Sequence, residues 1–219
     1  MIRLSLKRAL AAALAAGWIL AAGAAETGRD RALPAPRKGG GRPLMQALAD
    51  RQSRRDIRPD RPLDPQVLAD LLWAACGVNR RDSGKRTAPT ARNRQEIEVY
   101  AALADGLFRY DAAAHRLVRV LDEDVRPSAG RQPFIHTAPL VLIYVADESR
   151  MGGGSERDTL FYSAADTGFV SQNVYLYCAS EGLATVVIGM VDKPALAAAM
   201  KLPPAHKVML TQPVGYPAE

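Results

Sequence analysis

Histidine and cysteine are scarce in this chain of 219 residues: three of the first (His115, His136, His206) and two of the second (Cys76, Cys178). No two of these side chains stand at metal-ligand spacing, and two thiols do not make a zinc site. Two cysteines also exclude a disulfide-built scaffold. They read as unpaired, half-buried thiols, with a single bond between them left open for an oxidising compartment. A Gly-x-Ser-x-Gly elbow is absent, as is a Gly-x-Gly-x-x-Gly turn after a strand, and Gly152-Gly153-Gly154 lacks the Lys-Ser/Thr of a phosphate loop. Serine hydrolases of the elbow type, dinucleotide-binding Rossmann domains and P-loop enzymes are thereby disfavoured. No carboxylate pair stands out for acid–base work, and no internal repeat is visible.

Excess positive charge is also smaller than it looks. Of the formal +6, three charges (Arg3, Lys7, Arg8) lie in the first 25 residues with no acid among them, leaving +3 for the remainder. Without a long Lys/Arg run or interleaved aromatics, a nucleic-acid partner is not indicated. The first 25 residues have the layout of a secretory signal: a basic start, an uncharged run from Ala9 to Ala25, and small residues before Glu26. Cleavage is expected after Ala24 or Ala25, which makes the mature protein exported and most simply periplasmic. The apolar run is short for a span of about 20 residues, and no second segment is apolar enough to cross a bilayer.

What is present is 48% hydrophobic residues with 24% charged, the balance of one globular domain. Residues 26–42, rich in Arg, Pro and Gly, read as a linker. A helix is expected from Pro43 to about Gln52, with Leu44, Met45 and Leu48 on one side. A second is bounded by Asp64 as N-cap, Pro65 at the first turn and Gly77 as its stop. The polar loop 79–94 precedes a strand at 96–101, whose alternation fits one buried face. Residues 106–121 read as a hairpin. Residues 138–146 (APLVLIYVA) form a central strand buried on both faces. A helix at 157–181, closed by Gly182, is apolar nearly all round and calls for a partner subunit to cover it. A strand at 184–189, a short helix opened by Asp192 and Pro194, and a last strand at 207–214 complete an α+β layout.

Three segments carry candidate chemistry. Arg51, Arg54 and Arg55 with Ser53, at the end of a predicted helix, can hold a phosphate, since guanidinium forks are permanently charged and bidentate. The loop 86–95 (RTAPTARNRQ) combines small residues that let backbone approach a flat ring with the amides of Asn93 and Gln95. Val186-Val187-Ile188-Gly189-Met190 is an apolar strand that runs into glycine and can offer backbone N–H groups.

In this order and spacing, the stretches LMQALADRQSRR, LLWAACGVNR, RTAPTARNRQEIEVY, DGLFRYDAAAHRL, SQNVYLYCASEGLATVVIG and QPVGYP resemble the flavin-dependent nitroreductases, within them the SagB-type or ThcOx-type dehydrogenases. The resemblance covers about residues 43–217. It implies a sheet flanked by helices in a homodimer, with FMN at the interface. Arg51, Gln52, Ser53 and Arg55 would hold the phosphate and ribityl chain, with Arg55 reaching toward N1/O2 of the ring. Pro89, Thr90, Ala91 and Asn93 would come from the other subunit. Gln132 would meet the pyrimidine edge. Val187, Ile188, Gly189 and Met190 would lie against the ring, with a backbone N–H near N5. No basic residue follows the last strand, where many members add one, so the phosphate would rest on Arg51 and Arg55. The implied activity is hydride transfer to or from a small molecule such as a nitroaromatic or quinone, with no acid–base residue assigned. Oxidation of a peptide or metabolite, or flavin binding without catalysis, are the alternatives. NAD(P)H is a doubtful donor for an exported enzyme.

Overall fold

The computed structural model describes residues 30–218; the expected signal segment lies outside them. In chain order the elements are β1 (Arg31–Ala32), α1 (Leu44–Asp50), α2 (Pro65–Cys76), β2 (Val78–Arg80), β3 (Lys85–Arg86), β4 (Ile97–Leu103), β5 (Gly106–Asp111), β6 (Arg116–Leu121), α3 (Pro133–Thr137), β7 (Leu140–Asp147), α4 (Glu156–Glu181), β8 (Ala184–Thr185), α5 (Lys193–Ala199) and β9 (His206–Gly215). Among the described residues no helix is long and apolar enough to cross a membrane.

Seven strands form one sheet in the order β1-β6-β5-β4-β7-β9-β8, each pair antiparallel, and β2 and β3 form a separate small hairpin. The chain is therefore α+β, with helices on both faces of an antiparallel sheet. Strand β7 lies between β4 and β9, and all eight of its residues are buried. Its side chains alternate with the two-residue period of a strand. Leu140, Leu142, Tyr144 and Ala146 join the cluster that holds Leu71 and Leu72 of α2 and Val170 and Val174 of α4. Val141, Ile143 and Val145 join the opposite cluster with Ile135 of α3 and Leu196 of α5.

The helix boundaries follow local chemistry. Asp64 caps α2 by accepting from the backbone N–H of Gln66, and Pro65 occupies the first turn. Ser155 caps α4 by accepting from the N–H of Asp158. At the other end Gly182 takes a left-handed φ of 71° and donates its N–H to the Cys178 carbonyl. One polar junction fixes how α4 lies on the sheet. Gln212 of β9 is fully buried, and its side-chain oxygen accepts from the Tyr144 hydroxyl (2.6 Å) and the Ser171 hydroxyl of α4 (2.9 Å).

Several expectations change. Strand β4 is covered on both faces, not one: Glu96 is wholly buried and Glu98 nearly so. Glu98 is tolerated in mid-sheet because one of its oxygens accepts from Arg109 (2.9 Å) and Arg150 (3.2 Å) and the other from the Tyr100 hydroxyl (3.0 Å). Helix α3, opened by Pro133, stands where no helix was read. The side of α1 that carries Leu44, Met45 and Leu48 faces outward, and only Ala47 is buried. Residues 30–42 run along the domain: β1 pairs with β6, and Arg37 donates its backbone N–H and its Nε to the buried Asp70 carboxylate, both at 2.7 Å. The strand read at 184–189 pairs in the ladder only at Ala184 and Thr185, with one further bridge at Ile188. Cys76 and Cys178 are free thiols, fully rather than half buried, and burial pushes the Cys76 thiol up to about 11.

Because β7 is packed from both sides, shaving it is expected to be costly in either direction. Leu142→Ala and Ile143→Ala should each lower unfolding free energy by about 2–5 kcal/mol, read from denaturant midpoints.

Candidate functional site

Residues 51–55 leave α1 and run beside β8, where the Arg54 N–H donates to the Thr185 carbonyl at 2.8 Å. The four arginine and serine side chains then separate by role. Arg54 is held by Asp56 (Nε to Oδ1 3.1 Å), and that bond keeps the Asp56 carboxyl below the usual carboxylate range. Arg51 sits over the Tyr175 ring, its guanidinium carbon 5.5 Å from the centroid. Ser53 Oγ lies 3.0 Å from the Tyr175 hydroxyl. Arg55 is exposed. Among the described residues, neither Arg51 nor Arg55 is paired with a carboxylate. Arg51 and Gln52 line a cavity of about 440 Å³ at the C-terminal end of α4, together with Arg42, which is engaged by Asp50.

The 184–190 segment lies across Tyr175 from Ser53. The Val187 N–H leaves the sheet ladder and donates to the Tyr175 hydroxyl at 2.8 Å. That diversion is why the expected strand breaks at 186–187. Ile188 returns to the ladder, exchanging N–H and carbonyl with Thr211 (2.7 and 3.2 Å), and Val191 N–H turns back onto the Gly189 carbonyl. Among the described residues this leaves the N–H groups of Gly189 and Met190 without an acceptor, on an exposed stretch.

Gln132 immediately precedes α3. Its side-chain oxygen is buried and has no hydrogen-bond partner. It lies against Ile188 through Gly130: a Cβ at Gly130 would meet Ile135 Cδ1 at 2.3 Å and would stand 3.5 Å from both the Gln132 oxygen and Ile188 Cγ2. The Gln132 oxygen and Ile188 thus flank Gly130.

The remaining predicted residues, Pro89, Thr90, Ala91 and Asn93, are not beside the Arg51 cluster. The Ala91 N–H donates to the Asp166 carboxylate at 2.9 Å. Asp166 and Tyr175 are nine residues apart on α4, roughly 13 Å along the helix axis. The loop is tightly bent: Arg92, Asn93 and Gln95 all take left-handed φ values (54°, 54° and 51°), a conformation that non-glycine residues adopt at a cost. Thr90 Oγ1 accepts the Gln95 N–H at 3.0 Å, and the Gln95 amide donates to Asn93 Oδ1 at 3.1 Å.

A carboxylate pair went unread in the sequence. Glu96 is fully buried and Asp166 is 2% exposed. Burial above all, helped by the Asp166 carboxylate, pushes the Glu96 carboxyl up to about 7, while its own backbone N–H and, more weakly, Arg94 oppose this. The protonated Glu96 can then donate to Asp166, whose other bond holds the Ala91 N–H. The available signal was an acid in the middle of an otherwise apolar helix.

Residues 48–216 match the family model described as Nitroreductase family. The chain belongs to the nitroreductase family. Among its relatives, a protein of Methanocaldococcus jannaschii named as a nitroreductase is 33% identical over 186 residues, 80% of this chain and 92% of that one. A crystal structure of a nitroreductase from Ralstonia eutropha superposes with a TM-score of 0.83 at 41% identity, covering 87% of this chain and 90% of that one. A nitroreductase from Desulfovibrio desulfuricans, solved in complex with FMN, shares the fold with a TM-score of 0.59 at 20% identity, over 82% of this chain and 89% of that one. As a nitroreductase-family member, the chain is a flavin-dependent oxidoreductase.

The Glu96–Asp166 pair has a pH signature with a definite sign. Folded Glu96 keeps its proton up to about pH 7, whereas in the unfolded chain it releases it near the ordinary glutamate value of 4.5. Between those values the folded state binds more protons, so raising the pH removes stability. Glu96→Gln, whose amide also donates to Asp166, should melt close to the parent at about pH 5 and above it at about pH 8 in a thermal scan.

Proposed function

We propose that this chain is an exported, FMN-dependent oxidoreductase of the SagB/ThcOx branch, which passes hydride to or from a small nitroaromatic, quinone or similar molecule. The observation that carries the cofactor reading is the set of unused polar groups on either side of Tyr175. On one side, Arg51 and Arg55 lack carboxylate partners next to the Ser53 hydroxyl. On the other, Gln132 offers a buried, unpartnered acceptor, and Gly189 and Met190 offer open N–H groups. FMN has a dianionic phosphate at one end. Its ring has a donor at N3 and acceptors at O2, O4 and N5 at the other. The two sets match in sign and order.

When bound, the flavin supplies the redox chemistry at N5. The chain's part is to bind and orient. Arg51, Ser53 and Arg55, with Gln52 beside them, hold the phosphate and ribityl end. A guanidinium reaching the N1/O2 edge favours the anionic reduced form. The Gln132 oxygen accepts from the pyrimidine edge. Val187 and Ile188 spend their N–H groups within the protein, so the donor toward N5 narrows to Gly189 or Met190.

Pro89, Thr90, Ala91 and Asn93 enter the same site from a second subunit. Two observations support this. The loop is held roughly 13 Å along α4 from Tyr175 within one chain. Leu160, Phe161, Tyr162 and Phe169 of α4 are exposed, as are Leu44, Met45 and Leu48 of α1, an apolar surface that a homodimer would bury. For an exported enzyme NAD(P)H is a poor match as donor.

Purified protein, without its first 25 residues, should be yellow or take up added FMN with the absorption of bound flavin, and sediment as a dimer. A colourless protein that takes up no flavin refutes the cofactor reading. Arg51→Ala should weaken FMN binding by about tenfold, the size of a lost bond between a charged donor and a phosphate. Replacing Phe161 and Phe169 by Glu should shift the sedimentation toward monomer.

A further inference from the structure

The side chain that joins the two halves of this site is one that neither the motifs nor the family resemblance assigns. Tyr175 is nearly buried on α4. Its hydroxyl accepts the Val187 N–H at 2.8 Å and lies 3.0 Å from Ser53 Oγ. A phenol has one proton and one good acceptor direction. Val187 fills the acceptor direction, so the phenolic proton points to Ser53. Ser53 Oγ has no other partner among the described residues. With its oxygen accepting from Tyr175, its own proton is directed outward.

We propose that Tyr175 is a positioning residue that turns Ser53 into an obligate donor, so that the chain Val187 N–H, Tyr175 O–H, Ser53 O–H ends on an anion, the flavin phosphate. The ring of Tyr175 meanwhile carries the Arg51 guanidinium. One side chain thus orients two phosphate donors and fixes the backbone turn that leaves Gly189 and Met190 open. This inference rests on the FMN reading above. It adds a direction to the hydrogen bonds and predicts selectivity for phosphorylated over unphosphorylated flavin.

The test titrates the apo forms of the parent, Tyr175→Phe, Ser53→Ala and the double variant with FMN and, in parallel, with riboflavin, following flavin fluorescence. Riboflavin has the same ring and lacks the phosphate. The parent should prefer FMN. Tyr175→Phe should lose about tenfold in FMN affinity and clearly less in riboflavin affinity, as should Ser53→Ala. The double variant should be no weaker than Ser53→Ala alone, because the two groups act as one chain. Tyr175→Leu, which also removes the ring under Arg51, should fall further for FMN than Tyr175→Phe does. Equal losses for both flavins in Tyr175→Phe would mean that the hydroxyl only supports the fold, and would overturn the proposal, as would an FMN preference that survives in Tyr175→Phe. A parent that binds neither flavin overturns the cofactor reading itself, a result distinct from both.

Discussion

The buried amide of Gln212 holds helix and sheet in register. Its oxygen accepts from Tyr144 of β7 and Ser171 of α4, so a strand in the middle of the sheet and a 26-residue helix are tied to the same atom. In so apolar an interior such a bond is hard to exchange for another. Around it α4 packs Val170, Val174 and Cys178 among Leu142, Tyr144 and Val214. Sliding the helix by one turn would strand the buried Ser171 hydroxyl as well as misfit the apolar side chains. Two contact residues of α4 flank this junction: Asp166, which holds the Ala91 N–H, lies five positions before Ser171, and Tyr175, which meets Ser53 and Val187, four positions after it. The loop at one end of the helix and the arginine segment at the other are thus placed by a single fixed crossing.

Much of this fold was legible because its strongest signals are local. The unbroken run in β7, the Asp64–Pro65 start of α2 and the Gly182 stop of α4 depend on neighbours a few residues away, and each appears where it was read. Tertiary contacts decided the rest. Glu98 looked like the solvent side of a half-buried strand, and is buried because Arg109 and Arg150 reach it from other elements. Val186 and Val187 have strong strand character, yet the ladder breaks there because a tyrosine twelve residues upstream takes an N–H. The apolar side of α1, with Leu44, Met45 and Leu48, faces outward.

The candidate segments were legible one by one in the sequence, but their arrangement was not. Order and composition pointed to Arg51, Ser53, Gln132 and residues 187–190, and the fold brings these to the surroundings of Tyr175 and Ile188. The loop at 89–93 lies apart in the same chain. Tyr175 itself carried no signal, since a tyrosine on an apolar helix is most simply core. The Glu96–Asp166 pair was equally silent, its members being seventy residues apart in sequence. Pairings over such distances are what a linear reading cannot supply.

The two thiols bear on where such a molecule can live. Cys76 and Cys178 are fully buried, unpaired and held in their protonated form by that burial. Thiolate is the reactive form, and neither thiol offers it. The fold owes none of its stability to covalent cross-links, so the redox poise of its surroundings has little purchase on it. Its compartment matters instead through the small molecules it encounters there.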